Sequence, residues 1–315
     1  MVLAAGFGTR LRPLTEELPK PLVPVANRPL VAWSLALLAR AGVEQVAVNL
    51  HHLGKTIEQT LGDGSGFGLR ITYSPEDPIL GTGGGVARMR PLLQDGTFFL
   101  VNGDVLCGTD LDAVLRFHRA RRAVSTMVVR PLPRGAVFTP LAVDEEGWMV
   151  EFKNARRPSR GATRPVMFCG VHVLEPVVFD YLPAEGFSCI NDHAVTRMIE
   201  DGLDVAAWLD AGPWYDLGTP AAYLQANRDL AAGRVRLDQL APGGTFQPDA
   251  VLLDDNVTVE AGARLGPEVV CGAGCAIGTG ARVSRSVLWP GARVAPGEQL
   301  DGLIVTPRHR APDAR

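Results

Sequence analysis

Between residues 46 and 129, four short apolar runs alternate with longer stretches in which apolar residues recur every three or four positions. Residues 46–50, 69–73, 98–101 and 125–129 have the length and composition of strands. Residues 31–41, 54–61 and 111–121 have the length and spacing of helices. This alternation predicts an α/β domain with a Rossmann-like, mostly parallel sheet and helices on both faces. Ligands of such sheets bind beyond the carboxyl ends of the strands, so the loops that follow the strands are where chemistry is expected. Only Met1-Val2-Leu3 precede the first glycine-rich stretch, so the first strand is expected to be short or to begin upstream of Met1.

The pattern changes after Arg234. Apolar residues then recur in sixes at Leu253, Val259, Leu265, Cys271, Ile277 and Val283, with a displaced continuation through Val294 and Leu300. Glycines fall between them at Gly262, Gly266, Gly272, Gly274, Gly278, Gly280 and Gly291. A six-residue period with a small residue at each corner predicts a short left-handed parallel β-helix, each unit forming one side of a three-sided coil. A flexible glycine-rich tail would have no reason to keep Val, Leu and Ile in register. The expected organisation is a catalytic domain over residues 1–234, a linker and β-helix over 235–307, and a frayed charged tail over 308–315.

Composition narrows the function. Apolar residues make up 46% of the 315, enough for a sizeable core, and the formal net charge is −3. That balance gives no general attraction to nucleic acid or to anionic membranes. No run is long and apolar enough to predict a membrane span. The five cysteines, Cys107, Cys169, Cys189, Cys271 and Cys275, lack zinc-ligand spacing and read as buried, reduced thiols of a cytoplasmic protein. Lysine is confined to Lys20, Lys55 and Lys153 in an otherwise arginine-using chain, which directs attention to Lys20.

The densest chemical signal is Leu3-Ala4-Ala5-Gly6-Phe7-Gly8-Thr9-Arg10-Leu11-Arg12-Pro13-Leu14-Thr15, followed by Pro19-Lys20-Pro21. Consecutive small residues let backbone N–H groups approach phosphate oxygens. Arg10 offers a planar fork for outer phosphates, and two flanking prolines stiffen the backbone that aims Lys20. No Gly-Lys-Ser/Thr follows the glycines, so this is not a Walker A loop. Two carboxylates stand out further along. Asp104 ends the apolar run Phe98-Phe99-Leu100-Val101-Asn102-Gly103, and Asp216 lies in Trp214-Tyr215-Asp216-Leu217-Gly218-Thr219-Pro220. Each by itself reads equally as a helix cap, Asp104 before Leu111 and Asp216 before Pro220.

With GxGTRLxPLT and PKP at this spacing, the chain resembles the sugar-1-phosphate nucleotidyltransferases, in both halves. The resemblance implies that Ala4, Ala5, Gly6, Gly8 and Thr9 cradle a nucleoside triphosphate, with Arg10 and Lys20 catalytic beside its phosphates. It also implies that Asp104 and Asp216 hold Mg²⁺, a pair that suits an ion which keeps waters and completes its shell with substrate phosphates. Leu80-Gly81-Thr82-Gly83-Gly84-Gly85, read as a loop before a helix, resembles the family's segment for nucleotide and sugar, which assigns Gly81 and Gly83 to the nucleotide and Gly84 to the sugar. Asn102, Gly170 in Phe168-Cys169-Gly170-Val171-His172-Val173, and Asn191 are the other sugar candidates. Capping and sugar hydrogen bonding weigh equally for Asn191, and His172 reads as a structural histidine. A common Glu-Lys-Pro motif is absent. In its place stands Glu151-Phe152-Lys153-Asn154-Ala155-Arg156-Arg157-Pro158, where Lys153, Arg156 or Arg157 is a candidate grip on the sugar phosphate and a solvated basic loop is the alternative.

The implied reaction joins a sugar 1-phosphate to a nucleoside triphosphate and releases pyrophosphate. The TGGG segment resembles muramate-phosphate uridylyltransferases, while the C-terminal repeats match mannose-1-phosphate guanylyltransferases, the preferred reading. A non-catalytic regulatory paralogue is the alternative from another class. A second, acyl-transferring site in the repeats would call for a histidine, and residues 240–307 contain none. The repeats are instead expected to support a homo-oligomer, because parallel coils have open ends.

Overall fold

The structure, a computed structural model, describes residues 1–133, 135, 141–159 and 161–312. The four apolar runs are the strands Gln45–Leu50, Arg70–Pro75, Phe98–Asn102 and Ser125–Pro131. The helices are Leu30–Arg40, Gly54–Leu61 and Leu111–Arg121. Contacts divide the chain into two units, and each gathers separated stretches of sequence.

The first unit comprises Met1–Gly6, Leu37–Gly103 and Thr109–Gly212 and holds the large sheet. Val2–Leu3, short as expected, lies parallel between Gln45–Leu50 and Phe98–Asn102, and Arg70–Pro75 extends the parallel part. The twelve-residue strand Thr163–Leu174 then pairs antiparallel with Phe98–Asn102, Ser125–Pro131 and Leu141–Asp144. The sheet is therefore mixed: a Rossmann-like parallel part continued by antiparallel strands. Ala47, Val86, Leu100, Met127, Val166 and Ile190 belong to its buried apolar core.

Local sequence explains the helix boundaries. Asp110 caps Leu111–Arg121, its carboxylate accepting the Ala113 N–H at 2.9 Å. The glycine stretch read as a loop is itself helical, Gly81–Arg88. Glycine disfavours helix, so packing must supply the stabilisation. A Cβ on Gly83 would lie 2.7 Å from Ser188 Oγ, and one on Gly84 2.4 Å from the Gly186 carbonyl. At Gly83 and Gly84 the helix approaches residues 186–190 too closely for a Cβ, while Thr82 Oγ1 accepts the Ile190 N–H at 2.9 Å.

The second unit comprises Phe7–Ala36, Asp104–Gly108 and Pro213–Arg315. Its C-terminal part is a three-faced parallel coil. Val251–Leu253, Val269–Cys271, Val287–Leu288 and Leu303–Val305 stack on one face. Thr258–Val259, Ala276–Ile277 and Arg293–Val294 form the second face, and Arg264–Leu265, Arg282–Ser284 and Gln299–Asp301 the third. The partners Leu253↔Cys271, Val259↔Ile277 and Leu265↔Val283 are one coil of three hexads apart. The next partners, Cys271↔Leu288, Ile277↔Val294 and Val283↔Leu300, are one residue closer. The corner between Val283 and Leu288 is one residue shorter, which explains the displaced continuation of the repeat.

Alternation along the first face also shows what covers it. Cys271, Leu288 and Val305 enter the coil's interior. Their neighbours Leu252, Val270, Val287 and Ile304 instead join a second core with Leu11, Leu14, Trp33, Tyr223 and Leu224. The outer positions of the other faces include Thr258, Arg282, Arg293 and Gln299, which are exposed. Two antiparallel strands, Thr245–Gln247 and Arg310–Pro312, close the first face at its two ends. The chain beyond Pro307 thus folds back as a strand instead of fraying, and residues 313–315 of the expected tail lie outside the described residues. Val259, one of the repeating apolar positions, is 43% exposed because its strand is the first on its face and no strand stacks beneath it. The cysteines are all free, and burial pushes the Cys271 thiol up and that of Cys275 to about 11. No helix among the described residues is long and apolar enough to cross a membrane.

Candidate active site

Within the second unit the signature segment folds as a series of short turns. Thr9–Leu11 and Lys20–Leu22 are single 3-10 turns, and Leu14–Glu17 is one turn of helix between them. Gly8 is required on two grounds. Its φ is +64°, and a Cβ there would stand 2.9 Å from Lys20 Cβ and 3.0 Å from Thr15 Cγ2. Thr15 Oγ1 also donates to the Gly8 carbonyl at 3.0 Å. Gly8 thus lets the two ends of the signature close on each other and bury Lys20, which is 7% exposed.

The two carboxylates enter on one small antiparallel ladder. Trp214–Asp216 pairs with Val105–Cys107, with Asp216 opposite Val105, the residue after Asp104. Neither aspartate caps a helix: Asp110 caps the helix after Asp104, and Thr219 caps the helix after Asp216, accepting the Ala222 N–H at 3.3 Å. Each instead meets a predicted catalytic cation. Lys20 Nζ donates to Asp104 Oδ2 at 2.8 Å, and Arg10 Nη1 lies 3.7 Å from Asp216 Oδ2. The first pair is shielded on the lysine side, while Arg10 is 65% exposed along its side chain and able to turn toward a ligand. Gly218, given no role from sequence, makes room for that guanidinium, since a Cβ there would lie 2.8 Å from Arg10 Cζ.

The first unit holds the other candidates: Ala4, Ala5 and Gly6, the glycine helix, Asn102, Gly170 and Asn191. Ala4 and Ala5 are buried, whereas a Cβ on Gly6 would meet nothing within 4 Å, leaving its backbone open to an approaching group. Ala4 N–H donates to Asn49 Oδ1 at 2.7 Å, and Asn49 Nδ2 donates to Glu76 Oε1 at 2.8 Å. The other Glu76 oxygen accepts the Leu80 N–H at 2.8 Å, at the start of the glycine helix. Sequence reasoning missed this link between Ala4 and Leu80. A polar residue inside an apolar strand, Asn49 in Val46-Ala47-Val48-Asn49-Leu50, was the available signal. Gly81 has φ +72° and lies against Ser188 and Phe187; Gly83 and Gly84 pack as described above.

Asn102 ends its strand half-buried, and the following Gly103 approaches the Leu3 carbonyl. Gly170, with φ +84°, sits where the pairing of Thr163–Leu174 with Ser125–Pro131 shifts register between Phe168 and His172. Asn191 lies in the π-helix Ile190–Val195, whose N-cap is Cys189, and does not cap it. His172 Nε2 donates to Asn191 Oδ1 at 3.2 Å. Burial holds the imidazole pKa down to about 4 against the opposing effect of that hydrogen bond, so the ring is neutral at physiological pH. Of the three basic candidates, Arg156 pairs with Glu151 at 2.7 Å and Arg157 with Asp204 at 3.2 Å. Lys153 occupies a left-handed turn position, φ +53°, and pairs with Asp192, the neighbour of Asn191.

Comparison with known proteins decides the family. The family described as Nucleotidyl transferase matches residues 1–233. The chain belongs to that family. It is 34% identical over 300 residues to the mannose-1-phosphate guanylyltransferase of Mycobacterium tuberculosis, covering 94% of this chain and 81% of the relative. It is 36% identical over 220 residues to the N-acetylmuramate alpha-1-phosphate uridylyltransferase of Neisseria meningitidis, covering 70% of this chain and 92% of the relative. A solved UDP-glucose pyrophosphorylase complexed with UDP-glucose shares the fold with a TM-score of 0.59 at 20% identity, over 74% of this chain and 98% of that one. The sugar-1-phosphate nucleotidyltransferase is thus an enzyme of nucleotide-sugar synthesis.

Proposed function

We propose that the enzyme transfers a guanylyl group to mannose 1-phosphate, with Arg10, Lys20, Asp104 and Asp216 as its reacting-phosphate machinery. The observation that carries the site assignment is the pairing of each predicted cation with a predicted metal carboxylate inside one unit, Lys20 with Asp104 and Arg10 with Asp216. Supporting the substrate is the guanylyltransferase relative, whose match runs along almost the whole chain, repeats included. The second reading, uridylyl transfer to an amino-sugar or muramate 1-phosphate, is favoured by the higher identity of the uridylyltransferase match, which covers 70% of the chain. A non-catalytic paralogue is disfavoured because all four charged groups are present and none is used as a helix cap.

The donor set fits Mg²⁺. Among the described residues no group of three or more His, Cys, Asp or Glu is gathered as for a protein-caged metal. Two hard carboxylates suit an ion that retains water and takes substrate oxygens. Asp104 and Asp216 would hold it, and when bound it would neutralise phosphate charge.

In the proposed reaction a sugar-phosphate oxygen attacks the α-phosphorus in line. The new O–P bond forms as the bond to the β-phosphate oxygen breaks, and pyrophosphate leaves. The nucleophile is already ionised, so no general base is required and positioning with charge neutralisation does the work. Backbone N–H groups around Gly6 and the exposed Arg10 bind the outer phosphates. Lys20, aimed by its prolines and by Gly8, stabilises charge developing at the α-phosphate. Glu76 and Asn49 hold the Ala4 amide in place. Lys153 takes the sugar phosphate in exchange for Asp192, and Asn191, oriented by neutral His172, contacts the sugar. Like copies assemble through the uncovered strands that carry Val259.

A panel of four nucleoside triphosphates against mannose 1-phosphate, glucose 1-phosphate and N-acetylmuramate 1-phosphate, read by pyrophosphate release, tests the substrates. GTP with mannose 1-phosphate should give the highest kcat/KM. A preference for UTP with the muramate ester would favour the second reading, and no release with any pair would overturn both.

A further inference from the structure

A basic cleft lies at the C-terminal end of the coil. It is an open cleft of about 490 Å³ lined by Gly291, Arg293, Thr306, Pro307, Arg308, His309 and Arg310. Three arginines and a histidine are among these residues, with no acidic residue in the lining. Arg310 is neutralised by Glu298, which it contacts through both terminal nitrogens. The guanidinium groups of Arg293 and Arg308 have no hydrogen-bond or ion-pair partner among the described residues. Two arginines without partners in one cleft suit a planar or tetrahedral oxyanion, to which guanidinium forks donate in pairs.

The wall of this cavity also touches the signature segment. Thr306 Oγ1 accepts the backbone N–H of Arg308 at 3.2 Å and of His309 at 2.8 Å, which closes the turn 306–309. The same hydroxyl donates to the Glu17 carboxylate, and His309 Nε2 stands 3.8 Å from it. Glu17 is 11% exposed along its side chain and ends the helical turn Leu14–Glu17, which lies in sequence between Arg10 and Lys20. The turn 306–309 thus joins the basic cleft to the segment that carries both predicted catalytic cations.

We propose that this cavity binds a phosphate-bearing small molecule and that its occupancy alters the set of the Arg10–Lys20 segment through the Thr306–Glu17 contact, making it a regulatory site. The coupling rests on the reading of Arg10 and Lys20 as catalytic; the binding does not. A phosphate anion drawn between Arg293 and Arg308 would pull the turn toward the cavity, and Thr306 and Glu17 with it.

Inorganic phosphate, titrated calorimetrically into the full chain, is the probe. Wild type and Lys20→Ala should bind it alike, because Lys20 does not line the cavity. The double variant Arg293→Ala, Arg308→Ala should bind at least tenfold more weakly, while keeping wild-type transfer in the absence of phosphate. Equal binding by the double variant and wild type would overturn the site, as would binding lost only in Lys20→Ala. For the coupling, saturating phosphate should change kcat or KM of wild type by twofold or more and leave the double variant unchanged. Thr306→Val should retain phosphate binding but lose that response; a full response in Thr306→Val would refute the route through Glu17. The calorimetric arm needs no transfer assay, so a failure of the catalytic assignment is distinguishable from a failure of the cavity.

Discussion

Asp104→Asn should reduce stability as well as turnover, because it leaves a buried ammonium without its counter-charge. Lys20 has an 8% exposed side chain and its Nζ is 2.8 Å from Asp104 Oδ2. At that distance the attraction is about 6 kcal/mol for an effective dielectric near 20 and about 1.5 kcal/mol in bulk water. Asp104 is 38% exposed, which puts the pair between these limits, and desolvation of Lys20 offsets much of the gain. A coupling of about 1–3 kcal/mol is expected. It is measured with a double-mutant cycle of Asp104→Asn, Lys20→Met and the double variant, unfolded in urea at pH 7.5 without nucleotide. Methionine keeps the buried stem while removing the charge. The double variant should be more stable than the sum of the two single losses implies. Additivity within about 0.3 kcal/mol would show that the pair carries no net interaction and would refute the reasoning.

Two further predictions concern His172 and the coil. The His172 pKa falls from 6.5 in the unfolded chain to about 4 in the folded one, so the folded state binds fewer protons between those values. Its contribution is complete above pH 6.5 and is lost as pH falls toward 4, by about 3 kcal/mol in all; His172→Gln should flatten this part of the pH–stability curve, and a curve parallel to wild type would refute the assignment. Ending the chain at Arg234 removes Leu252, Val270, Val287 and Ile304 from the core they share with Leu11, Leu14 and Tyr223. Four such side chains represent roughly 6–12 kcal/mol of burial, comparable with the whole stability of a domain, so the shortened chain should lose cooperative unfolding and transfer activity; a soluble, cooperatively folding and active product would contradict this.

Period and spacing made much of the molecule legible. Residues 46–50 were readable as an apolar run because every one of them is buried, and 111–121 because one buried face imposes a helix period. The sixfold repeat was readable because each corner of the coil needs a small residue or a turn. The glycine helix was not, since its stability comes from the close approach of residues 186–190, which no local propensity reports. Nor was the boundary of the second unit, which collects Phe7–Ala36 and Asp104–Gly108 alongside the repeats. The outward apolar row Leu252, Val270, Val287 and Ile304 was nevertheless present in the sequence as a sign that one face of the coil is covered.

The candidate site divides the same way. Gly8, Arg10, Lys20, Asp104 and Asp216 stood out as an uncommon set at fixed spacing. The cap alternatives for the two aspartates were open in sequence and are closed by Asp110 and Thr219. Gly218 and the Asn49–Glu76 link could not be read from spacing, because their roles depend on what lies across space from them.

The most direct test of the central claim is the steady-state kinetics of Lys20→Ala, with the nucleoside triphosphate that wild type prefers. The account predicts a fall in kcat of about 10²-fold or more with little change in KM for the triphosphate, because the loop amides and Arg10 still hold the nucleotide while the reacting phosphate loses its cation. Unchanged kcat at saturation, with only a raised KM, would contradict a catalytic role for Lys20 and the site built around it.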